Sequence, residues 1–314
     1  MTDTTIDILI LSLGTVGLLM ALTLFGEVLR SRVPRGETSP SVEIFMTRVH
    51  SWWGMVILFA LALLIGEVGV LLLFAFASFA ALREVLTFTH KTRADHLSLA
   101  LGFFVILPVQ YLFVGLGWDT VYSVLIPVHA FLLLPVLSAL RGPSDRFLIR
   151  VAETQWGLMI CVYCASHIPA LMNIRVPGYE DRSILLIVFF VMVVQSGDLL
   201  EYFFGRRFGR RRIAPGLSPK TWEGVVFGLA AAAVIGAALA WITPFGAWTA
   251  AAMAFAASLT GMLGNLVFAA IKRDRGVKDW SHLIPGQGGF MDQLDSVVFA
   301  APVFYHLVSL ASSG

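Results

Sequence analysis

The sequence predicts an all-α, polytopic integral membrane protein with about ten transmembrane helices. Hydrophobic residues make up 58% of the 314-residue chain and charged residues only 13%, which is about half the charged share of a typical globular protein. Apolar runs long enough to cross a bilayer recur along the whole chain, and no soluble core could bury that much apolar surface. The composition therefore excludes a soluble globular domain, a disordered chain, a coiled coil and a disulfide scaffold.

The individual helices follow from the apolar runs and their interruptions. Residues 8–29 are predicted to be a retained helix, because no basic flank precedes them and no small-residue cleavage site follows. The stretch 52–88 is too long for one bilayer crossing, and Gly66 with Glu67 supplies a polar break, so a hairpin of two helices is predicted. The ten predicted spans are residues 8–29, 52–66, 68–88, 97–116, 120–140, 153–172, 184–204, 224–243, 248–271 and 294–312.

The positions of the basic residues predict the topology. With ten spans, all but two of the 22 Lys and Arg residues fall on one side, and the two exceptions are Arg175 and Arg182. Cytoplasmic loops of membrane proteins carry an excess of these residues. We therefore expect the basic side, and any active site, to face the cytoplasm of a bacterial-type inner membrane, with both termini outside.

The chain is predicted to form one membrane domain, residues 1–314, because no linker or internal repeat divides it. Its two halves differ in polarity. Residues 1–183 are mostly plain apolar helix, whereas residues 184–314 combine carboxylates inside predicted helices, a basic loop and two loops rich in Gly and Pro. Any active site is therefore expected in the C-terminal half.

Asp198 is the first candidate for chemistry, because it lies inside a predicted helix before its cytoplasmic end. A carboxylate at that depth costs on the order of 2.5–3.5 kcal/mol on insertion scales, so it should face protein or a water-filled cavity. A metal, proton or substrate role is favoured over a buried structural ion pair. Glu201, one turn later on the same face, is equally well explained by its interfacial position.

Two pairs in the N-terminal half are weaker candidates. Cys161 and Cys164 have the spacing of a metal or redox pair, but within an apolar run and without a second ligand pair they are better explained by packing. Arg83 and Glu84, at the cytoplasmic end of the third span, fit either a self-satisfied ion pair or a wall of the site.

The loop after the Asp198 helix favours anion binding but has simpler explanations. Five arginines between residues 206 and 212 fit a substrate contact or the attraction of cytoplasmic loops to anionic lipid headgroups. Ser218, Lys220 and Thr221 could form an anion site from hydroxyls, backbone N–H groups and an ammonium just before a helix. Ser218 or Thr221 could equally be a plain helix N-cap.

The densest group of candidates is the last cytoplasmic loop with the first turn of the last helix. A Gly-rich turn before a helix lets backbone N–H groups approach phosphates, and the helix dipole favours anions there. Asp292 and Asp295 share one helix face and could be simple dipole partners, but acids beside a cationic loop also suit a metal-bridged phosphate. The second interpretation is favoured, since Asp198 is expected opposite them at the same depth. The candidates in this segment are Lys272, Arg273, Lys278, Asp279, His282, Gly288, Gly289, Asp292 and Asp295.

This segment resembles the C-terminal signature of the CDP-diacylglycerol synthase family, the integral-membrane phosphatidate cytidylyltransferases. The similarity extends over about residues 190–305, through the Ser-Gly-Asp of residues 196–198 and the Ser-Pro-Lys-Thr-Trp-Glu-Gly of residues 218–224. The signature residues that match in order and spacing are Lys272, Arg273, Lys278, Asp279, Ser281, Ile284, Pro285, Gly288, Gly289, Asp292 and Asp295.

The chain differs from the family pattern at four positions. Gln287 replaces the signature His, Gln293 replaces an Arg, Ala269 replaces the usual Ser, and Asn265 replaces a metal-binding Asp. Asn still offers Mg²⁺ a neutral oxygen, whereas Gln cannot replace the charge of a bidentate Arg. The resemblance therefore indicates a divergent paralogue.

The resemblance implies a CTP-dependent cytidylyltransferase that transfers CMP from CTP to phosphatidate, giving CDP-diacylglycerol and pyrophosphate in phospholipid synthesis. It implies Mg²⁺ as the cofactor and is compatible with a second cation. It is also compatible with a homodimer. The implied partners are CTP, phosphatidate or a related lipid phosphate, and membrane lipids; nothing suggests nucleic acid. The implied catalytic residues are Asp198, Lys278, Asp279, Asp292 and Asp295; the metal ligands Asp198, Asn265, Asp292 and Asp295; and the substrate contacts Ser218, Lys220, Thr221, Lys272, Arg273, His282, Gly288 and Gly289.

Two alternatives stay open beside this hypothesis. One is the same chemistry on another lipid or isoprenoid phosphate. The other is a catalytically silent paralogue that binds phospholipid or scaffolds other lipid enzymes, which the four differences favour. A transporter is disfavoured, because the polar residues cluster on one side instead of lining a path across the midplane.

Overall fold

The computed structural model confirms an all-α membrane protein. It describes residues 3–32, 39–142, 144–179 and 182–312, and this part of the chain contains no β-strand. Nine of its helices are long and apolar enough to cross a membrane, and one further apolar helix is shorter. Each of the ten predicted spans is therefore helical. The helices are α1 (Asp3–Ser31), α2 (Pro40–Ile65), α3 (Glu67–Thr87), α4 (His96–Gly115), α5 (Asp119–Arg141), α6 (Phe147–Asn173), α7 (Ile184–Phe208), the short α8 (Trp222–Ala238), α9 (Ala247–Asp274) and α10 (Phe290–Ser312).

Helix α2 begins at Pro40, well before the predicted start at residue 52. Proline is favoured in the first turn of a helix, because its fixed φ suits that position and its missing N–H is not needed there. The added turns carry Glu43 and Arg48, so they fall outside any apolar run. A pattern of apolar residues could therefore not reveal this extension of the helix.

The predicted break between α2 and α3 is confirmed at Gly66. Its φ of 87° and ψ of −150° lie in a region that favours glycine. The Gly66 backbone N–H donates to the carbonyls of Ala62 at 3.2 Å and Leu63 at 3.1 Å, which ends α2. Helix α3 then starts at Glu67 and returns across the membrane.

Helix α10 lies at the centre of the bundle and is shared by both halves of the chain. It packs against α7 and α9 of the C-terminal half and against α3 and α6 of the N-terminal half. Its fully buried residues include Val298, Ala300 and Phe304. By contrast, only 6% and 17% of the apolar windows of α1 and α2 are buried. The first two turns of α10, with two candidate carboxylates, are thus enclosed by both halves.

Contacts between helix ends define two faces of the bundle. On one face, the Arg48 side chain donates to the carbonyl of Gly286, which links the start of α2 to the loop before α10. The Arg275 guanidinium donates to Glu153, which links that loop to α6. We call this face the basic face, since the Lys- and Arg-rich loops lie on it. On the opposite face, Arg182 pairs with Asp7 of α1. Which face lies toward the cytoplasm remains a prediction.

Candidate active site

Asp198 of α7 contacts a polar residue of the neighbouring helix α9. The Asn265 Nδ2 donates to Asp198 Oδ1 at 2.9 Å, and the Asp198 side chain is about a quarter exposed (25%). Close approach of the two helices brings this pair together, since a Cβ at Gly197 would lie 2.9 Å from Ser258 Oγ. Asp198 thus faces protein, which is one of the two expected surroundings.

Glu201 of α7 is a residue of the site and not only an interfacial one. The Lys220 Nζ lies 2.5 Å from Glu201 Oε2 and 3.9 Å from Asp198 Oδ1, so one ammonium faces two carboxylates. Helix α8 approaches closely here, because a Cβ at Gly228 would lie 2.8 Å from Glu201 Cβ. The side chain of Glu201 is only 8% exposed. The sequence therefore undervalued this residue.

The hydroxyls beside Lys220 shape the chain locally. Thr221 is the N-cap of α8, and its Oγ1 accepts from the Gly224 backbone N–H at 3.2 Å. The Ser218 Oγ accepts from the Lys220 backbone N–H at 3.3 Å. The N-cap interpretation of Thr221 is correct, and the predicted contact of Ser218, Lys220 and Thr221 with an anion remains a prediction.

A small pocket lies beside Asp198 between α7, α8 and α9. Asp198, Glu201 and Ser258 supply its polar lining. The Ser258 Oγ is buried and has no hydrogen-bond partner in the described part of the chain. Buried polar atoms are normally satisfied, so this hydroxyl is available to a group bound in the pocket.

Asp295 of α10 is a further carboxylate near Asp198. Its carboxylate interacts electrostatically with Asp198, Lys272 and Lys220, and its Oδ1 accepts from the Ser296 backbone N–H at 2.8 Å. The Ser296 side chain also hydrogen-bonds Asp198. The structure therefore brings Asp198 and Asp295 together from two helices, as predicted.

Asp292 is fully engaged by the loop that precedes α10. Its Oδ2 accepts from the backbone N–H groups of Trp280 and Gly289, both at 2.8 Å, and its Oδ1 accepts from Lys272 Nζ at 2.8 Å. Gly288, with φ of 89°, lets the chain turn against this carboxylate. Asp292 thus organises the loop in this structure, and its role as a metal ligand remains a prediction.

Glu84 of α3, for which the sequence left open an ion pair with Arg83 or a wall of the site, contacts the last loop and the start of α10. Its Oε1 accepts from Ser281 Oγ at 2.7 Å and from the Phe290 N–H at 3.0 Å, and its Oε2 accepts from the Met291 N–H at 2.9 Å. The N–H donors at the start of α10, which we expected to meet phosphate, are therefore occupied by protein carboxylates. The contacts of Gly288 and Gly289 with substrate remain predictions. A carboxylate at the basic end of an apolar helix was the only available signal.

The other predicted residues of the last loop lie on the basic face. Arg273, Lys278 and His282 are exposed, and Asp279 is half-buried. Lys272 is held by Asp292. The contacts of these side chains with substrate remain predictions.

Cys161 and Cys164 are free cysteines, and Cys161 is buried against Met291 with 3.8 Å between the sulfur atoms. The packing interpretation of this pair is correct.

On the basic face, Arg275 joins Glu153, whose Oε2 also accepts from the His90 backbone N–H at 2.6 Å. This cluster fastens the last loop to α6 and to the end of α3.

Comparison with known proteins decides the family. The profile of the cytidylyltransferase family matches residues 46–311. This chain belongs to the cytidylyltransferase family. It is 32% identical over 305 residues to the Escherichia coli K12 protein described as uncharacterized protein YnbB, and the match covers 95% of this chain and 97% of that protein.

Two relatives described as phosphatidate cytidylyltransferase match a shorter part. The Brucella abortus (strain 9-941) protein is 38% identical over 130 residues, 41% of this chain and 48% of that protein. The Mycobacterium leprae protein is 40% identical over 178 residues, 55% of this chain and 54% of that protein. The chain thus spans about half the length of these relatives. Family membership makes it a CTP-dependent nucleotidyltransferase that works in a membrane.

The donor set of this cytidylyltransferase family member fits a divalent cation of the Mg²⁺ type. Asp198, Asp295 and the amide oxygen of Asn265 are all hard oxygen ligands. No group of three or more His, Cys, Asp or Glu residues with metal-site geometry occurs in the described ranges. A cation held here would therefore share its coordination between these three side chains and oxygens from substrate or water.

The other two differences from the family signature within the site are linked by hydrogen bonds. The Gln293 Nε2 donates to the Gln287 carbonyl at 3.0 Å, and the Gln287 Nε2 donates to the Arg48 carbonyl at 3.1 Å. The Gln195 Nε2 donates to the Gln293 carbonyl at 3.1 Å. The two glutamines thus tie the last loop to α2 and α7 in this chain.

Proposed function

We propose that the protein transfers CMP from CTP to phosphatidate, giving CDP-diacylglycerol and pyrophosphate. The observation that carries this proposal is that Asp198 contacts Asn265 and interacts electrostatically with Asp295, with Lys220 and Lys272 beside them. Two carboxylates, a neutral oxygen and two ammonium groups suit a reaction in which both partners are phosphates. The two relatives described as phosphatidate cytidylyltransferase support phosphatidate as the acceptor.

The reaction joins a phosphate oxygen of the lipid to the α-phosphorus of CTP. The bond between the α-phosphorus and the oxygen that bridges to the β-phosphate breaks, and pyrophosphate leaves with that electron pair. The chain must hold the attacking oxygen, the phosphorus and the leaving oxygen in line. Lys220, Lys272, Arg273 and Lys278 would bind the negatively charged oxygens and keep the two substrates together.

Mg²⁺ bound by Asp198, Asn265 and Asp295 would supply charge neutralisation between the phosphates. No residue has to act as a general base, since a phosphate monoester has a second pKa near 6 and is largely ionised at pH 7. Lys220 is well placed for substrate, because its ammonium lies between Glu201 and Asp198 at the pocket wall. It can exchange these carboxylates for a phosphate without leaving the site.

The basic face is proposed to be cytoplasmic, as the distribution of Lys and Arg indicates. CTP would then reach the site from the cytoplasmic side of the inner membrane. The acyl chains of the lipid would enter sideways from the inner leaflet, between helices.

The test is product formation by the purified protein in mixed micelles with CTP, phosphatidate and Mg²⁺. We expect lipid-linked CMP and pyrophosphate in equal amounts, with no product when Mg²⁺ is removed or Asp295 is replaced by Ala. Asp295→Asn is the matched variant, because it keeps the shape and removes only the charge. Absence of both product and CTP binding would refute the proposal.

Two other outcomes decide between the remaining candidates. CTP binding without product on phosphatidate would point to another lipid or isoprenoid phosphate, which a panel of acceptors would identify. Lipid binding without CTP binding would indicate a silent paralogue. The observation that favours the silent form is that Asn265 donates its amide to Asp198, where a third carboxylate would strengthen a metal site.

A further inference from the structure

Glu84 is a buried carboxylate of the N-terminal half that meets the start of α10. It is 4% exposed, and it accepts from the backbone N–H groups of Phe290 and Met291 and from the Ser281 hydroxyl. A carboxylate buried this deeply is costly unless donors surround it. Three donors and the positive end of the α10 dipole meet that requirement.

The region around Glu84 leaves no room for another anion at these amides. A Cβ at Gly289 would lie 2.6 Å from Glu84 Cδ, so the glycine is needed for the close approach of the carboxylate. Two aromatic contacts hold α3 against the same segment. Phe76 packs edge-on against Phe290 with 5.5 Å between ring centroids, and Phe88 packs against Trp280 at 5.8 Å.

The first turn of α10 determines where Asp295 points. Phe290 and Met291 lie about one turn before Asp295 on the same rigid helix. A rotation or shift of this turn would move the Asp295 carboxylate relative to Asp198, which belongs to another helix. Displacements of about 1 Å can cost about a hundredfold in rate when reacting groups must be aligned.

We propose that Glu84 is a positioning residue for the transferase site: from α3, its carboxylate fixes the first turn of α10 so that Asp295 faces Asp198. This inference rests on the proposed function. It assigns to the N-terminal half a direct part in assembling the site, although that half supplies none of the expected metal ligands. Glu84 does not line the pocket beside Asp198, so it acts on the site through the start of α10.

The first experiment measures hydrogen–deuterium exchange of the full-length protein in detergent, over the peptide that spans residues 286–296. The variant is Glu84→Gln, which keeps the size but presents an amide N–H₂ to backbone donors. Asp95→Asn is the matched control, since Asp95 is also a carboxylate of the N-terminal half with 4% exposure but binds Arg150 instead of α10. We expect at least about tenfold faster exchange at Phe290 and Met291 in E84Q only.

The second experiment measures kcat and KM for CTP and lipid in the same three proteins. E84Q should lower kcat about tenfold to a hundredfold while both KM values stay within about twofold of wild type. D95N should lose thermal stability without this loss of kcat. Glu84→Asp, which keeps both acceptor oxygens on a shorter side chain, should recover part of the exchange protection and of kcat, and it serves as the test if E84Q does not fold.

The outcomes separate this inference from the proposed function. The positioning role would be overturned if hydrogen–deuterium exchange at the start of α10 were unchanged in E84Q. It would also be overturned if E84Q and D95N lost kcat equally at matched stability. If wild type forms no product, the proposed reaction fails, whereas the exchange experiment still reports whether Glu84 orders α10.

Discussion

Asn265→Asp gives the sharpest test of the metal site, because it adds one charge next to Asp198. In wild type the Asn265 Nδ2 donates to Asp198 Oδ1 at 2.9 Å. The variant replaces this attraction by two carboxylate oxygens in contact. At an effective dielectric constant of about 20, two unit charges at that distance repel by about 6 kcal/mol, more than the roughly 1.5–3 kcal/mol of a hydrogen bond to a charged group.

Such a repulsion is relieved only by a proton or a cation, so the variant should depend more strongly on Mg²⁺. We expect N265D to melt below wild type without divalent cation and to gain more stability from Mg²⁺. The Mg²⁺ concentration that gives half-saturation should be at least about tenfold lower in N265D than in wild type, which corresponds to about 1.4 kcal/mol of binding free energy. Asn265→Ala is the control, because it removes the oxygen and the hydrogen bond without adding charge.

The assay is the melting temperature of the purified protein in detergent across a Mg²⁺ series at fixed pH and ionic strength. A Mg²⁺ response in N265D no larger than that of wild type would refute the placement of a cation between Asp198, Asn265 and Asp295. Equal responses of N265D and N265A would refute it as well, since they would show that the added charge is not felt.

Three further predictions follow from contacts in the site and its support. Lys220→Met should abolish activity and cost about 3–5 kcal/mol in unfolding free energy by leaving Glu201 uncompensated; adding Glu201→Gln should restore the melting temperature but not the activity. Thr221→Ala should cost about 1 kcal/mol through the lost N-cap, read from denaturant unfolding, and a cost near zero would contradict the capping role. Burial alone would raise the pKa of Asp95, but Thr92 hydrogen bonds and the Arg150 guanidinium outweigh it, so its pKa is lowered. This stabilisation is present above the unfolded-state pKa near 4 and lost as pH falls through the lower folded value; the fall in melting temperature between about pH 5 and pH 3 should therefore be smaller in D95N, and equal slopes would contradict this.

The helices and the approximate site could be predicted because each leaves a local signal. Apolar runs mark the spans, Gly66 marks a break that only its backbone freedom allows, and the Asp198 and Asp295 carboxylates are costly in a membrane unless they serve a site. We predicted that these two carboxylates lie close together because both were expected at the same depth in the membrane. The polar start of α2 had no apolar signal and was therefore missed.

The supports of the site could not be predicted, since they depend on contacts between distant parts of the chain. Glu84 and Met291 are far apart in sequence, and only the packing of α3 against α10 brings them together. The same holds for Arg48 and Gly286. In the sequence, Asp292 would look the same whether it bound a metal or organised the loop. Only the hydrogen-bond donors seen around it distinguish the two roles.

The contacts of α2 and α3 with the last loop bear on how such a chain can change during evolution or be recombined. The two relatives described as phosphatidate cytidylyltransferase match 41% and 55% of this chain. Arg48, Ser51 and Glu84 nevertheless hold residues 281–291 from the other half. A chimera that joins residues 184–314 to the first half of a relative would keep every expected ligand but lose these partners. Substitutions in the two halves are therefore expected to be compatible only in matched sets, and grafting the recognisable motifs alone should not transfer activity.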